Sequence, residues 1–206
     1  MSRARVLEER LRIQETVHGQ GIDLGLARVG EVARRLGLLP YGPRTIIVAG
    51  TNGKGSTVAC LEALLLRLGH RVGAFTSPHL LRYNERIRVQ GAEASDAALI
   101  AAFDAIDAVR GEITLTFFEY NALAALHVLR QQQVEVAVLE VGLGGRLDAV
   151  NIVDAEAAIV CSIGLDHADW LGTDIEAIGR EKAGGVRSGA IAVVADPDMT
   201  ASVQAE

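Results

Sequence analysis

The apolar positions of the chain alternate between two periods. Short β-branched runs such as Thr45-Ile46-Ile47-Val48-Ala49 read as buried strands. Between them, apolar residues recur three and four positions apart, as on one face of a helix. After the first run comes a glycine-rich turn, 50–55. Ser56 to Leu68 then predicts a helix with Cys60, Leu61, Leu64, Leu65 and Leu68 at apolar spacing, stopped by Gly69. Arg71 to Thr76 predicts a second strand and completes a βαβ unit, which is right-handed as a rule. Ser95 caps a predicted helix bearing Leu99, Phe103, Ile106 and Val109 on one face. Glu119 to Arg130 predicts another helix. Strands over Val134–Val141 and Ala157–Ile163, a helix over Asp174–Lys182 and a strand over Ala190–Ala195 follow. Five strands alternating with helices predict an α/β fold with a doubly wound, mostly parallel sheet. No internal repeat or low-complexity tract interrupts the pattern.

Composition narrows the function classes. The 206 residues carry 20 Lys+Arg against 26 Asp+Glu, a net charge of −6. That balance speaks against a nucleic-acid partner, which needs a broad basic surface. No apolar run reaches the roughly 18 residues that span a bilayer, so no membrane partner is expected. Met1 to Arg12 lacks the apolar stretch of a secretory signal. Cys60 and Cys161 are too few for a disulfide framework, which points to a reducing cytoplasm.

The strongest chemical signal is Gly50-Thr51-Asn52-Gly53-Lys54-Gly55-Ser56-Thr57, placed between a strand and a helix. Glycines let successive backbone N–H groups face an anion, the helix N-terminus adds partial positive charge, and Lys54 can reach the β- and γ-phosphates. The strict P-loop pattern is not met, because Val48 stands at its first Gly and Gly55 follows the lysine. Glu140 closes an apolar strand, where a carboxylate needs a partner. Either it helps hold Mg²⁺ at the rim where parallel strands end, or it caps the glycine turn that follows. In Gly142 to Asp148, three glycines in four residues mark a backbone closely approached by something else, with Arg146 and Asp148 as its polar groups. Asp166-His167 falls at the same rim, as a metal ligand or a plain loop histidine. Lys182 reads on sequence alone as a cation near a helix C-terminus. Ser77 is a rim hydroxyl that can contact Mg²⁺ or nucleotide. Arg82, Glu85, Arg86 and Arg88 read as a solvated loop and strand face. Phe117 and Phe118 can stack on a flat ring or belong to the core.

GTNGKGS at 50–56, SPHL at 77–80, FFEY at 117–120, LEVGLGGRLDA at 139–149, LDH at 165–167 and REKAG at 180–184 occur in this order, after IDLGLARV at 22–29. Together they resemble the folate branch of the ATP-dependent Mur ligase family, the dihydrofolate synthases and folylpolyglutamate synthases. The resemblance runs from about Ile22 to the C-terminus. It implies that Thr51, Asn52, Gly53, Lys54, Gly55 and Ser56 hold the ATP phosphates. It makes Ser77, Glu140 and His167 the Mg²⁺ ligands, and Lys182 a carbamylated lysine that helps position the metal. Catalytic roles are implied for Lys54, Lys182 and His167. Thr116, Phe117, Phe118 and Glu119, with Leu147, Asp148, Ala149 and His18, match pterin-binding segments.

The implied reaction joins L-glutamate to dihydropteroate or a reduced folate through an acyl phosphate, with Mg²⁺ as cofactor and ATP as co-substrate. Residues 1–206 are then expected to form the family's central ATPase domain, with a helical lead-in over about 1–44. The family's C-terminal ligase domain is expected to be missing from this chain, and its absence leaves a requirement for such a domain. Two other readings stay open: a module that binds ATP·Mg and a pterin without turnover, and a different Mur-type ligase. Val150 and Gly185 depart from the family, which favours Thr and a bulky aliphatic there.

Overall fold

The strand-and-turn pattern builds one seven-stranded sheet with helices on both faces. The computed structural model describes residues 2–165, 170, 172–196 and 198–206. In chain order the elements are α1 (Arg3–Val17), α2 (Ala27–Arg35), β1 (Arg44–Ala49), α3 (Lys54–Arg67), β2 (Val72–Phe75), β3 (Ile87–Val89), β4 (Ala92–Glu93), α4 (Asp96–Arg110), α5 (Phe117–Gln131), β5 (Val136–Glu140), β6 (Ala157–Val160), α6 (Ile175–Ala183), β7 (Ile191–Val194) and α7 (Ala201–Ala205). Short 3₁₀ turns cover Tyr83–Arg86 and Ala149–Ile152.

The sheet order is β4-β3-β2-β5-β1-β6-β7. β2, β5, β1, β6 and β7 run parallel, as the alternation of strands and helices predicts. The β3–β4 hairpin is antiparallel and extends the β2 edge. It was not among the five predicted strands, because its apolar signal is only Ile87 and Val89 between charged residues. β1 lies between β5 and β6, and because these strands run parallel the carboxyl ends of β1, β2 and β5 open onto one rim.

Side chains alternate across the sheet. Ile47 and Ala49 face the large core made with α1, α2, α4 and α5. Val48, Val72, Ala74 and Val138 face the other way, against Val58, Leu61, Leu65 and Leu66 of α3. The lead-in helices thus join the main core through Leu7, Val29, Val32 and Ala33.

The predicted apolar face of α3 needs correction. Cys60, Leu64 and Leu68 are exposed, and the buried positions are Val58 and Glu62. Glu62 is tolerated there because Arg88 of β3 reaches it, Nη2 to Oε2 at 2.5 Å. An ion pair between a helix and a strand 26 positions later cannot be read from periodicity. No helix is long and apolar enough to cross a membrane among the described residues.

Candidate functional site

The phosphate loop leaves β1 at Gly50 and enters α3 at Lys54. Gly50 and Gly53 hold positive φ, +137° and +87°, which glycine adopts without penalty. The loop is fastened to the exit of β6. Thr51 N–H donates to Ser162 O at 2.7 Å, and Gly164 N–H donates to Thr51 Oγ1 at 3.0 Å. Asn52 N–H donates to Ser162 Oγ at 3.0 Å. Lys54 Nζ curls back onto the carbonyls of Gly50 and Thr51, at 3.0 and 3.1 Å. All six predicted loop residues, 51–56, therefore stand together at one strand–helix junction.

Glu140 ends β5 beside this loop. It is 4% exposed, and its Oε2 accepts the Ser77 N–H at 3.0 Å. The same oxygen lies 3.8 Å from where a side chain on Gly55 would begin. Burial pushes the Glu140 carboxyl above the usual range, opposed by the Ser77 N–H and by the charge of Lys54. Ser77 and Glu140 thus meet, through the backbone N–H of Ser77. Asp166 and His167 lie outside the described residues. Among the described residues there is no cluster of three His, Cys, Asp or Glu fit for a metal. The Ser77–Glu140 pair nonetheless offers hard oxygen donors of the kind Mg²⁺ takes, and a nearby cation would relieve the buried carboxylate.

Lys182, 3% exposed, reaches the same loop from the end of α6: its Nζ donates to Gly50 O at 3.1 Å. Lys182 is the helix-end cation read from the sequence, in the last turn of α6, and it is buried against the loop. Packing at the glycine-rich turn explains how it gets there. A side chain on Gly145 would begin only 2.5–2.8 Å from backbone atoms of Glu181 and Lys182. Arg146 N–H donates to Glu181 O at 2.9 Å. The same turn accepts the Phe118 ring at Gly142. Both close approaches announced by those glycines are real.

Asp148 turns inward from that segment. Its Oδ2 accepts the N–H groups of Gly142 and Leu143, at 3.0 and 2.9 Å, and its Oδ1 accepts Val150 N–H at 3.0 Å. Burial nevertheless pushes its carboxyl up to about 6, against those three N–H groups and Lys54.

A cleft of about 360 Å³ opens beside this machinery. Thr116, Phe117, Phe118, Glu119, Leu147, Asp148 and Ala149 all line it, as does Ser77. Phe118 is tilted against Phe75 at 5.9 Å between centroids, and Phe117 meets Tyr83 edge-on at 6.3 Å. The two phenylalanines are at once the edge of the core and the wall of the cleft. Thr116 and Glu119 form a capping box on α5: Glu119 N–H donates to Thr116 Oγ1, and Thr116 N–H donates to Glu119 Oε2.

His18 is not part of the lining. It stands behind it, bonded to Thr114 Oγ1 at 2.9 Å and to Asp23 Oδ2 at 3.2 Å. The lead-in residues that do line the cleft are Gly21 to Gly25, among them Ile22, Asp23 and Leu24. The motif at 22–29 was the signal that could have found them. Arg28 clamps this segment to α5, pairing with Asp23 at 2.6 Å and Glu119 at 3.2 Å. Arg86 is the other missed residue. It is buried in the cleft wall, not part of a solvated face.

This geometry can be set against known proteins. A family model described as Mur ligase middle domain matches residues 48–204. The chain belongs to the Mur ligase family. This Mur ligase domain is 55% identical over 189 residues to the dihydrofolate synthase/folylpolyglutamate synthase of Escherichia coli strain K12, over 92% of this chain and 45% of that protein. It superposes on E. coli FolC in complex with DHPP and ADP with a TM-score of 0.95 at 53% identity, covering 97% of this chain and 48% of that one. It matches the bifunctional folylpolyglutamate synthase/dihydrofolate synthase of Yersinia pestis, complexed with AMPPNP and Mn, with a TM-score of 0.91 at 55% identity, over 97% and 48% of the two chains. The Mur ligase domain thus spans about half the length of the relatives it matches.

Proposed function

We propose that this chain is the nucleotide- and pterin-binding half of an ATP-dependent ligase that joins L-glutamate to dihydropteroate or a reduced folate. The observation that carries the reading is the position of Ser77. It lines the aromatic cleft and is bonded to Glu140, whose carboxylate faces Gly55 of the phosphate loop. A flat ring held by Phe117 and Phe118 and a triphosphate held by the loop would share one continuous site. The E. coli relative with DHPP and ADP, and the Yersinia relative with AMPPNP and Mn, bind ligands of these two kinds.

The chemistry follows from the weakness of a carboxylate as an electrophile. A carboxylate oxygen of the pterin substrate attacks the γ-phosphorus of ATP, forming an acyl phosphate and releasing ADP. The glutamate amine then attacks the acyl carbon, loses its proton and expels phosphate. The domain contributes positioning and charge neutralisation. Lys54 and the N–H groups of residues 51–56 take the phosphates. Ser77 and Glu140, with His167, are the proposed Mg²⁺ holders, and the ion would neutralise phosphate charge. Lys182 is proposed to carry a carbamate, an anion suited to positioning that ion. Thr116 and Glu119 hold the start of α5, and Asp148 the glycine turn, so that the cleft walls keep their places. A C-terminal ligase domain is proposed to complete the glutamate side. Both cysteines are free, which suits the cytoplasm as the place of reaction.

The test is ADP release by the purified chain with Mg·ATP, dihydropteroate and glutamate, each omitted in turn. Release that needs all three substrates and is lost in Lys54→Ala makes the chain sufficient for turnover. Binding of ATP and dihydropteroate without release makes it a binding half. Failure to bind dihydropteroate rejects the folate reading.

A further inference from the structure

Arg86 sits in the cleft wall with no acid beside it. It is 8% exposed and lines the cleft next to Ser77 and Pro78. It is the one cationic side chain among the described residues of that lining. Its Nε donates to His79 Nδ1 at 2.8 Å, and its guanidinium carbon lies 5.7 Å from the centroid of Tyr83 and 5.6 Å from that of Phe117. Among the described residues it makes no ion pair and no Nη hydrogen bond. The cleft's own acids are engaged elsewhere: Asp23 and Glu119 with Arg28, Asp148 with three backbone N–H groups. The residue is otherwise buried, so an anion can meet the guanidinium only from the cleft. Two rings and a histidine fix its plane and leave the Nη fork to a ligand.

The backbone places Arg86 beside Ser77. Thr76 N–H donates to Arg86 O at 2.9 Å, so Arg86 is tied to the residue preceding Ser77. Arg86 thus lines the cleft with Ser77, which is bonded to Glu140 beside the phosphate loop, and one of the rings the cation rests on, Phe117, is also a wall for an aromatic ligand. We infer that Arg86 recognises the carboxylate of an aromatic acid in this cleft and turns it toward the phosphate loop. This rests on the function proposed above and assigns its specificity for an acid to one residue. A planar fork matches a carboxylate in two parallel hydrogen bonds, which lysine cannot reproduce. Each carboxylate oxygen keeps a second lone pair for attack on phosphorus.

The experiment compares dihydropteroate with its carboxamide, by pterin fluorescence, in the wild-type chain, Arg86→Met and Arg86→Lys. The wild type is expected to favour the acid by about 10- to 100-fold, the range of hydrogen bonds to charged groups. Arg86→Met should lose that preference through weaker acid binding, with carboxamide and ADP affinities within about 3-fold of wild type, and Arg86→Lys should recover only part of it. Equal wild-type affinity for acid and carboxamide overturns the inference without any variant. So does an unchanged preference in an Arg86→Met chain that still binds ADP. A wild-type chain that binds neither pterin rejects the functional reading and the role of Arg86 with it.

Discussion

Lys182 Nζ and Lys54 Nζ donate to the same atom, the carbonyl oxygen of Gly50, at 3.1 and 3.0 Å. One lysine opens the helix after the phosphate loop; the other comes from α6, 132 positions beyond Gly50. The carbonyl at the end of β1 is therefore where the loop and the glycine-turn side of the site meet. Two lysine side chains thus converge on one carbonyl of the proposed phosphate loop.

Lys54→Met should separate phosphate binding from folding. Among the described residues the Lys54 ammonium hydrogen-bonds to loop carbonyls, which water can satisfy in its absence. Stability to urea should change by less than about 1 kcal/mol, while Mg·ATP affinity by calorimetry should fall by about 100-fold, as for loss of a strong charge contact. Retained affinity would remove Lys54 from the phosphate site.

Glycines 145 and 185 should respond in opposite directions. At Gly145 an added methyl meets the backbone of Glu181 and Lys182 at 2.5–2.8 Å, and backbone cannot move aside cheaply. Gly145→Ala should cost about 1–3 kcal/mol and lower ATP affinity by displacing Lys182. At Gly185 the nearest atoms, on Asn151, are 3.7 Å away and φ lies outside the left-handed region. Gly185→Ala should stabilise by about 0.4–1 kcal/mol, by restricting the unfolded chain. Urea melts of the two variants check both signs.

Thr116→Ala removes half of the capping box on α5. Glu119 N–H loses its acceptor in a buried setting. A loss of about 1–2 kcal/mol is expected. Because Phe117 and Phe118 are the next two residues, pterin affinity should fall as well, whereas ADP affinity should not. A variant with normal pterin binding would show that the helix start does not set the cleft wall.

Local chemistry was legible in the sequence wherever one strand end supplied it. The phosphate loop, Ser77 and Glu140 each follow a strong apolar run, and parallel strands bring such ends to one rim. Contacts made across the fold were not legible. Nothing near Glu62 announces Arg88, and nothing near Arg86 announces Phe117, although Tyr83 stands three residues before it. The lead-in failed in a different way. The resemblance places His18 in a pterin-binding segment, yet it supports Asp23, and it is residues 21–25 after it that line the cleft. The β3–β4 hairpin escaped because short edge strands carry charge instead of an apolar run.

Glu140→Gln tests the proposed metal pair. A glutamine oxygen can still accept the Ser77 N–H, and burial already disfavours the charge. Without metal the variant should be as stable as the wild type or more so. The rise in melting temperature that Mg·ADP gives the wild type should shrink to that of ADP alone. An undiminished Mg²⁺ effect would place the ion elsewhere.

Asp148 supplies the pH dependence. Its carboxyl moves from the ordinary 3.8 to about 6 because burial outweighs three N–H groups and Lys54. Between those values the folded chain binds more protons than the unfolded one. Stability must therefore fall as pH rises from about 4 to about 6, and stay level above, by an amount on the order of 3 kcal/mol. Asp148→Asn cannot titrate, so the stability difference between wild type and variant isolates this slope from Glu140 and other carboxyls. Urea unfolding at several pH values from 4 to 8 gives the difference, and a carboxyl ¹³C titration of the folded chain gives the midpoint. A flat difference, with a midpoint near 4, would mean that the three N–H groups of the glycine turn outweigh burial and keep Asp148 charged throughout.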